Sequence, residues 1–123
     1  MHVGTLRVRL LIREARTLKD KRQVLRSICD RLRNGFHVSV AEVDAQDKHQ
    51  LVVLGIALVG SEAYPVRHTL ERIVEALDQP RLAVLGMATV GPEAHPLKQT
   101  FGRIVEVLRS HPVAELLDSE VDV

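Results

Sequence analysis

Residues 17–44 constrain the fold of this 123-residue chain more than any other stretch. Their first half repeats apolar residues every three or four positions, which predicts an amphipathic helix. Thr17 belongs to the residue types that cap helix N-termini, and the Asn34-Gly35 pair predicts a left-handed end to the helix. Alternating apolar residues over 36–44 then predict a β-strand.

The predicted helix has an apolar side and a basic side. Its apolar positions keep helical spacing: Leu18, Val24, Leu25, Ile28 and Leu32. With about 100° of rotation per residue, four cations fall together on the opposite side: Lys19, Arg22, Arg26 and Arg33. We interpret this basic side as a candidate nucleic-acid-binding surface. The alternatives are a solvated helix face, or a basic half that docks on the acidic half of another copy.

The charge of the chain is unevenly distributed, although its net charge is only +1. Residues 1–33 contain ten Lys or Arg against three acidic residues, a net charge of +7. Residues 34–123 contain seven Lys or Arg against thirteen acidic residues, a net charge of −6. Such an asymmetry indicates a basic face for an anionic partner.

Lys21 lies inside the apolar arc of the predicted helix and not on its basic side. One interpretation packs the aliphatic stem flat against the core while the ammonium reaches solvent at the helix start, and the sequence favours it because long cationic side chains commonly do this. The other holds the ammonium near the sheet, where it meets an anion or a carboxylate such as Glu42.

The two ends of the chain predict strands with charged outer faces. Residues 2–12 alternate, with Leu6 and Val8 on one face and Arg7 and Arg9 on the other. These arginines could contact phosphates or pair with carboxylates on neighbouring strands. Residues 114–123 predict a last strand with Leu117 and Val121 on one face and an acidic row on the other: Asp118, Glu120 and Asp122. If this strand lies beside the first, the acidic row neutralises the arginines.

The middle of the chain contains an internal repeat. Residues 51–60 are apolar without alternation, which predicts a strand buried on both faces, with one face against a partner subunit. Residues 83–108 align without a gap to residues 52–77, so a strand–helix unit is duplicated. We favour a five-stranded sheet in which Leu82–Val90 adds a strand. The alternative is that one copy is displaced or exchanged between subunits.

A family resemblance supports a single domain over 1–123. Part of the sequence resembles the signature of the YlxP-like family, small bacterial proteins of unknown function. The matching residues are Leu18-Lys-Asp-Lys-Arg22, Val24-Leu25, Ser27, Asp30-Arg-Leu-Arg33, Phe36 and Val38-Ser-Val-Ala-Glu-Val-Asp44. The resemblance covers residues 1 to about 60 and the last ten residues. It implies a ferredoxin-like α+β sandwich with helices on one face and genes that lie among translation and ribosome-maturation genes. It implies no catalytic residues. The duplicated unit departs from the family pattern, which has it once.

The remaining composition narrows the functional classes. No nucleotide-binding, nucleophile or metal-ligand spacing occurs, so we expect no enzyme activity, cofactor or metal. The single cysteine, Cys29, and the lack of a long apolar run fit a cytoplasmic protein without a membrane span. With one Tyr, two Phe and no Trp, any RNA contact should involve phosphates or duplex shape.

Two functional hypotheses follow from the sequence. The first is a factor that binds ribosomal RNA or ribosomal particles through the basic helix side. The second is a homodimeric regulatory or scaffold module whose apolar sheet face is the subunit interface. The two are compatible, because a dimer could present two basic helices.

Overall fold

The computed structural model describes residues 1–78 and 114–123. The secondary-structure elements in chain order are β1 (His2–Leu11), α1 (Leu18–Phe36), β2 (Ser39–Asp44), β3 (Leu51–Gly60), α2 (Ala63–Asp78) and β4 (Glu115–Asp122). The second copy of the predicted repeat, 83–108, and the predicted fifth strand within it lie outside the described residues.

The four strands form an antiparallel sheet in the order β2-β3-β1-β4. The first strand, β1, pairs with β3 over its whole length, from His2 opposite Gly60 to Leu11 opposite Leu51. On its other side β1 pairs with β4, so the two ends of the chain are neighbours in the sheet. The predicted α+β class is confirmed.

The core lies between one face of the sheet and the two helices. Alternate residues of β1 and β3, such as Leu10 and Leu54, point to this side and are fully buried. They pack with Leu32 of α1 and with Leu70 and Ile73 of α2. Each such side chain stabilises the fold by about 1.5–3 kcal/mol relative to an exposed position. The helices therefore cover one face of the sheet, and we call the other the open face.

The N-terminal end of α1 agrees with the sequence and its C-terminal end does not. Thr17 is the N-cap, and its hydroxyl accepts a hydrogen bond of 3.1 Å from the Asp20 N–H. The predicted stop at Asn34-Gly35 is wrong, because the helix continues to Phe36 and the left-handed residue is His37, with φ 55°. The ring of Phe36 packs against the core. This contact extends the helix through a glycine that costs only about 1 kcal/mol.

A β-bulge corrects the predicted faces of β4. Arg9 lies opposite Asp118 but Leu10 lies opposite Leu116, so one extra residue is inserted in β4. Leu116 takes the core-facing position, and Leu117 is 44% exposed. The prediction that Leu117 shares a face with Val121, which packs against the core, was therefore wrong. Strict alternation cannot anticipate an inserted residue.

The strand β3 is buried on both faces only in its first half. Val52 and Leu54 face the helices, and Val53 is also buried although it points to the open face. The second half ends in Val59, which is 60% exposed. The predicted burial on both faces is thus correct for 52–54 and wrong near the end of the strand.

Candidate nucleic-acid interface

The basic side of α1 lies on one flank of the helix and is exposed to solvent. Lys21, Cys29 and Leu32 are the buried residues of the helix, and they fix which side faces the core. Four cations lie on one flank of the solvent side, and we call them the cation stripe: Lys19, Arg22, Arg26 and Arg33. All four are exposed. Within residues 1–78 and 114–123, the first three make no ion pair.

Arg33 differs from the rest of the stripe because its guanidinium is already engaged. One terminal nitrogen donates a hydrogen bond of 2.7 Å to the Val40 carbonyl of β2. The other lies 3.5 Å from a carboxylate oxygen of Asp30, one turn earlier. Arg33 therefore ties the end of α1 to the sheet, and its charge is partly compensated.

The two predicted arginines of β1 lie on the open face, on the opposite side of the sheet from the stripe. Arg9 Nε donates a hydrogen bond of 2.7 Å to Asp118 of β4. Arg7 lies 3.3 Å from Asp44 of β2. The six predicted binding residues therefore form two separate groups. The acidic row of β4 provides the partner for Arg9 that the sequence suggested as an alternative.

Among residues 1–78 and 114–123, the open face carries more negative than positive charge. Arg7 and Arg9 are the cations of its central strand, and the carboxylates around them are Asp44, Asp118, Glu120 and Asp122. The hydrogen bond from Arg9 lowers the pKa of Asp118, which keeps that carboxylate ionised. A polyanion would therefore be repelled by this face and attracted by the stripe.

Lys21 makes a buried polar cluster between α1 and the β2–β3 loop. Its ammonium is 2.6 Å from a carboxylate oxygen of Glu42 and donates hydrogen bonds to the carbonyls of Ala45, at 2.8 Å, and Lys48, at 2.7 Å. Only 1% of Lys21 is exposed. The favoured interpretation, an ammonium reaching solvent, was wrong, and the alternative with Glu42 is confirmed.

The polar groups of this cluster interact with one another. The near oxygen of Glu42 is buried and has no aligned hydrogen-bond donor among the described residues, so its partner is the ammonium charge itself. Ala45 adopts the left-handed conformation, with φ 57°, and the Asp44 carboxylate accepts a hydrogen bond from its N–H. The cluster positions the loop against α1, and we assign it no ligand.

The described residues give little support for a metal site, a reactive cysteine or a membrane span. No three His, Cys, Asp or Glu side chains of these ranges are grouped so as to hold a metal ion. Cys29 is buried as predicted, and burial raises the pKa of its thiol, which lowers its reactivity. None of the described helices has both the length and the apolar character needed to cross a membrane.

Comparison with known proteins identifies the family. A family model described as "Protein of unknown function (DUF503)" matches residues 3–80, which include β1 from its second residue, α1, β2, β3 and α2. The chain belongs to this family. It is also similar to the "Uncharacterized protein YlxP" of Bacillus subtilis (strain 168), with 36% identity over 72 residues that cover 58% of this chain and 78% of that protein. The resemblance to YlxP-like proteins is confirmed, and neither description assigns an activity.

The sequence analysis of this DUF503 chain missed a second row of residues on α1. Gln23, Ser27 and Asn34 each follow a residue of the cation stripe, and all three are exposed. Their side chains make no hydrogen bond with the described residues. The signal was available in the sequence, because the spacing of the three repeats that of Arg22, Arg26 and Arg33. We call these three residues the polar row.

Proposed function

We propose that this chain is a non-catalytic protein that associates with RNA, in free form or in ribosomal particles, through the cation stripe of α1. The observation that carries the proposal is the exposure of Lys19, Arg22 and Arg26 on one flank of the helix without an ion-pair partner in the described ranges.

The stripe is difficult to explain by the stability of the fold. Lys19 and Arg22 are three residues apart, and Arg22 and Arg26 are four apart, so each pair repels across one helical turn. Such like-charge pairs destabilise a helix by about 0.2–0.5 kcal/mol each. The stripe extends over about 21 Å at about 1.5 Å per residue, so one polyanion can lie along it. The negative charges of the polyanion would remove this repulsion.

Binding through phosphates has a characteristic dependence on salt. Each cation that neutralises a phosphate releases a counterion, and the logarithm of the binding constant falls linearly with the logarithm of the salt concentration. Each lost contact should reduce this slope by about 1. The slope therefore counts the stripe residues that contact RNA.

The experiment compares two variants that lose the same charge. Arg22→Gln/Arg26→Gln removes two cations of the stripe, and Lys48→Gln/Arg67→Gln removes two exposed cations outside it. Binding of fluorescent duplex RNA and of ribosomal particles is measured over a series of salt concentrations. We expect the first variant to reduce the slope by about 2 and the control to leave it unchanged. Absence of binding by the wild type at low salt, or equal losses in both variants, would refute the proposal.

The order of the described elements also supports a proposal about the fold. We infer that the whole chain forms one ferredoxin-like domain. The order of the described elements, strand–helix–strand–strand–helix and a last strand, and the sheet order β2-β3-β1-β4 support this inference.

The second candidate function is a homodimeric scaffold that associates through the open face. Val3 and Val59 favour it, because they are cross-strand neighbours and are 50% and 60% exposed. Sedimentation of the wild type and of Val59→Lys tests this candidate. A dimer that the substitution dissociates supports it, and a wild-type monomer at all accessible concentrations removes it.

A further inference from the structure

We propose that the RNA bound by α1 is a double helix, and that the polar row binds ribose 2′-hydroxyls while the cation stripe binds the neighbouring phosphates. This inference rests on the proposed function and names its ligand class. It assigns a role to Gln23, Ser27 and Asn34.

The two rows run parallel along the same helix. Each member of the polar row follows a stripe residue directly, so the rows are separated by about 100° of rotation. Gln23 and Asn34 each lie two residues beyond a buried residue, Lys21 and Leu32 respectively. Two residues correspond to a rotation of about 200°, which is about 160° in the opposite sense, so these two residues lie almost opposite the buried ones. The polar row therefore faces away from the sheet. The solvent side of α1 therefore carries an uncharged polar row beside the cation stripe, with Asp30 between the two.

This arrangement matches the minor groove of duplex RNA. That groove is wide and shallow and displays 2′-hydroxyls, whereas the major groove is too deep and narrow for side chains. Amide and hydroxyl groups both donate and accept hydrogen bonds, as the 2′-hydroxyl does. Duplex DNA has no 2′-hydroxyl, so a polar row of this kind distinguishes the two duplexes.

Asp30 fits the same orientation. By helical rotation it lies at the boundary between the cation stripe and the polar row, and its carboxylate is 3.5 Å from Arg33. A carboxylate there accepts a hydrogen bond from a 2′-hydroxyl but would repel a phosphate. Phosphates are therefore expected along the edge of the stripe that lies away from Asp30.

Single-stranded RNA is disfavoured by the lack of aromatic residues in the four described strands. Single strands are bound largely by stacking of bases on exposed aromatic side chains. The four described strands contain no Phe, Tyr or Trp, and the open face carries an excess of carboxylates. Phe36 is half-buried, with the Arg72 guanidinium 5.8 Å from its ring centroid. A base-stacking surface is thus absent from the described sheet.

The test measures three probes with the full chain: a short RNA duplex, a DNA duplex of the same sequence, and one strand of the RNA. The variant is Gln23→Ala/Ser27→Ala/Asn34→Ala, and alanine maintains the helix because it has the highest helix propensity. The matched control is Ser39→Ala/Gln46→Ala/Ser119→Ala, three exposed polar residues outside α1. Thermal unfolding verifies that both variants are folded.

We expect the wild type to bind the RNA duplex about tenfold tighter than the DNA duplex, as several hydrogen bonds to 2′-hydroxyls would give. The polar-row variant should bind both duplexes alike with an unchanged salt slope, and the control should behave as the wild type. Equal binding of the two duplexes by the wild type, retained discrimination in the variant, or tighter binding of the single strand would overturn this inference and leave the proposed function standing. Absence of binding to every probe would overturn both.

Discussion

The substitution Lys21→Met should lower the free energy of unfolding of this protein far more than Lys19→Met does. Lys21 is 1% exposed, and its ammonium is the only described group that compensates the buried oxygen of Glu42. Methionine keeps most of the aliphatic stem but removes the charge and the hydrogen bonds to the Ala45 and Lys48 carbonyls. Lys19 is two residues away and exposed, so Lys19→Met is a matched control.

The magnitude follows from what the substitution leaves behind. The side chain of Glu42 is only 19% exposed, so its carboxylate would remain largely desolvated without a counter-charge. Breaking a buried ion pair on one side costs about 3–5 kcal/mol. The control should change the free energy of unfolding by at most about 0.5 kcal/mol. Since small domains are stable by about 5–15 kcal/mol, Lys21→Met removes a large share of the total.

Urea unfolding followed by circular dichroism measures both variants, and Glu42→Leu together with the double variant Lys21→Met/Glu42→Leu completes a double-mutant cycle. Removing both charges eliminates the unpaired carboxylate, so the double variant should be more stable than Lys21→Met alone. The Ala45 carbonyl keeps its hydrogen bond from the Lys48 N–H, but the part-buried Lys48 carbonyl loses its donor, which should leave a residual cost of about 1–3 kcal/mol. A loss below about 1 kcal/mol in Lys21→Met, or a double variant no more stable than that single one, would refute the reasoning.

Two further predictions concern backbone packing and pH. Gly35→Ala should stabilise the protein by about 0.5–1 kcal/mol, because Gly35 is helical and an added Cβ meets no atom within 4 Å. Gly4→Ala should destabilise it by about 1–3 kcal/mol, because its Cβ would lie 2.5 Å from a Val66 methyl group. Chemical unfolding of both variants checks these signs. A Gly35→Ala variant less stable than Gly4→Ala would contradict the packing. Asp118 has a folded-state pKa below its ordinary value, because Arg9 donates a hydrogen bond to it. Its contribution to stability is therefore present above a pH of about 4 and is lost as the pH falls through the lower folded pKa. Asp118→Asn should therefore be less stable than the wild type at neutral pH and approach it in acid, and a difference independent of pH would count against the ion pair.

The sequence determined the faces of the main elements. The spacing of apolar residues located α1 and its basic flank, and alternation placed Arg7 and Arg9 away from the core. The unusual position of Lys21 in the apolar arc was also visible. These features are local, because helical and strand periodicities follow from backbone geometry within a few residues.

The tertiary structure decided how these faces meet. The end of α1 depends on the packing of Phe36, and the outward position of Leu117 depends on a bulge in β4. The acceptors of Lys21 come from a loop more than twenty residues later in the chain. The predicted repeat beyond residue 78 remains a prediction from the sequence.

The division of the six predicted binding residues shows the same distinction. Sequence periodicity established that each of the six is exposed, but only the pairing of β1 with β4 placed Asp118 beside Arg9. Whether a surface cation is available to a partner depends on which carboxylate lies opposite it, and strand register sets this over long sequence separations. The sequence by itself therefore determined where positive charge appears. The tertiary structure determined that Arg7 and Arg9 are paired with carboxylates, whereas most of the stripe on α1 has no ion-pair partner among the described residues.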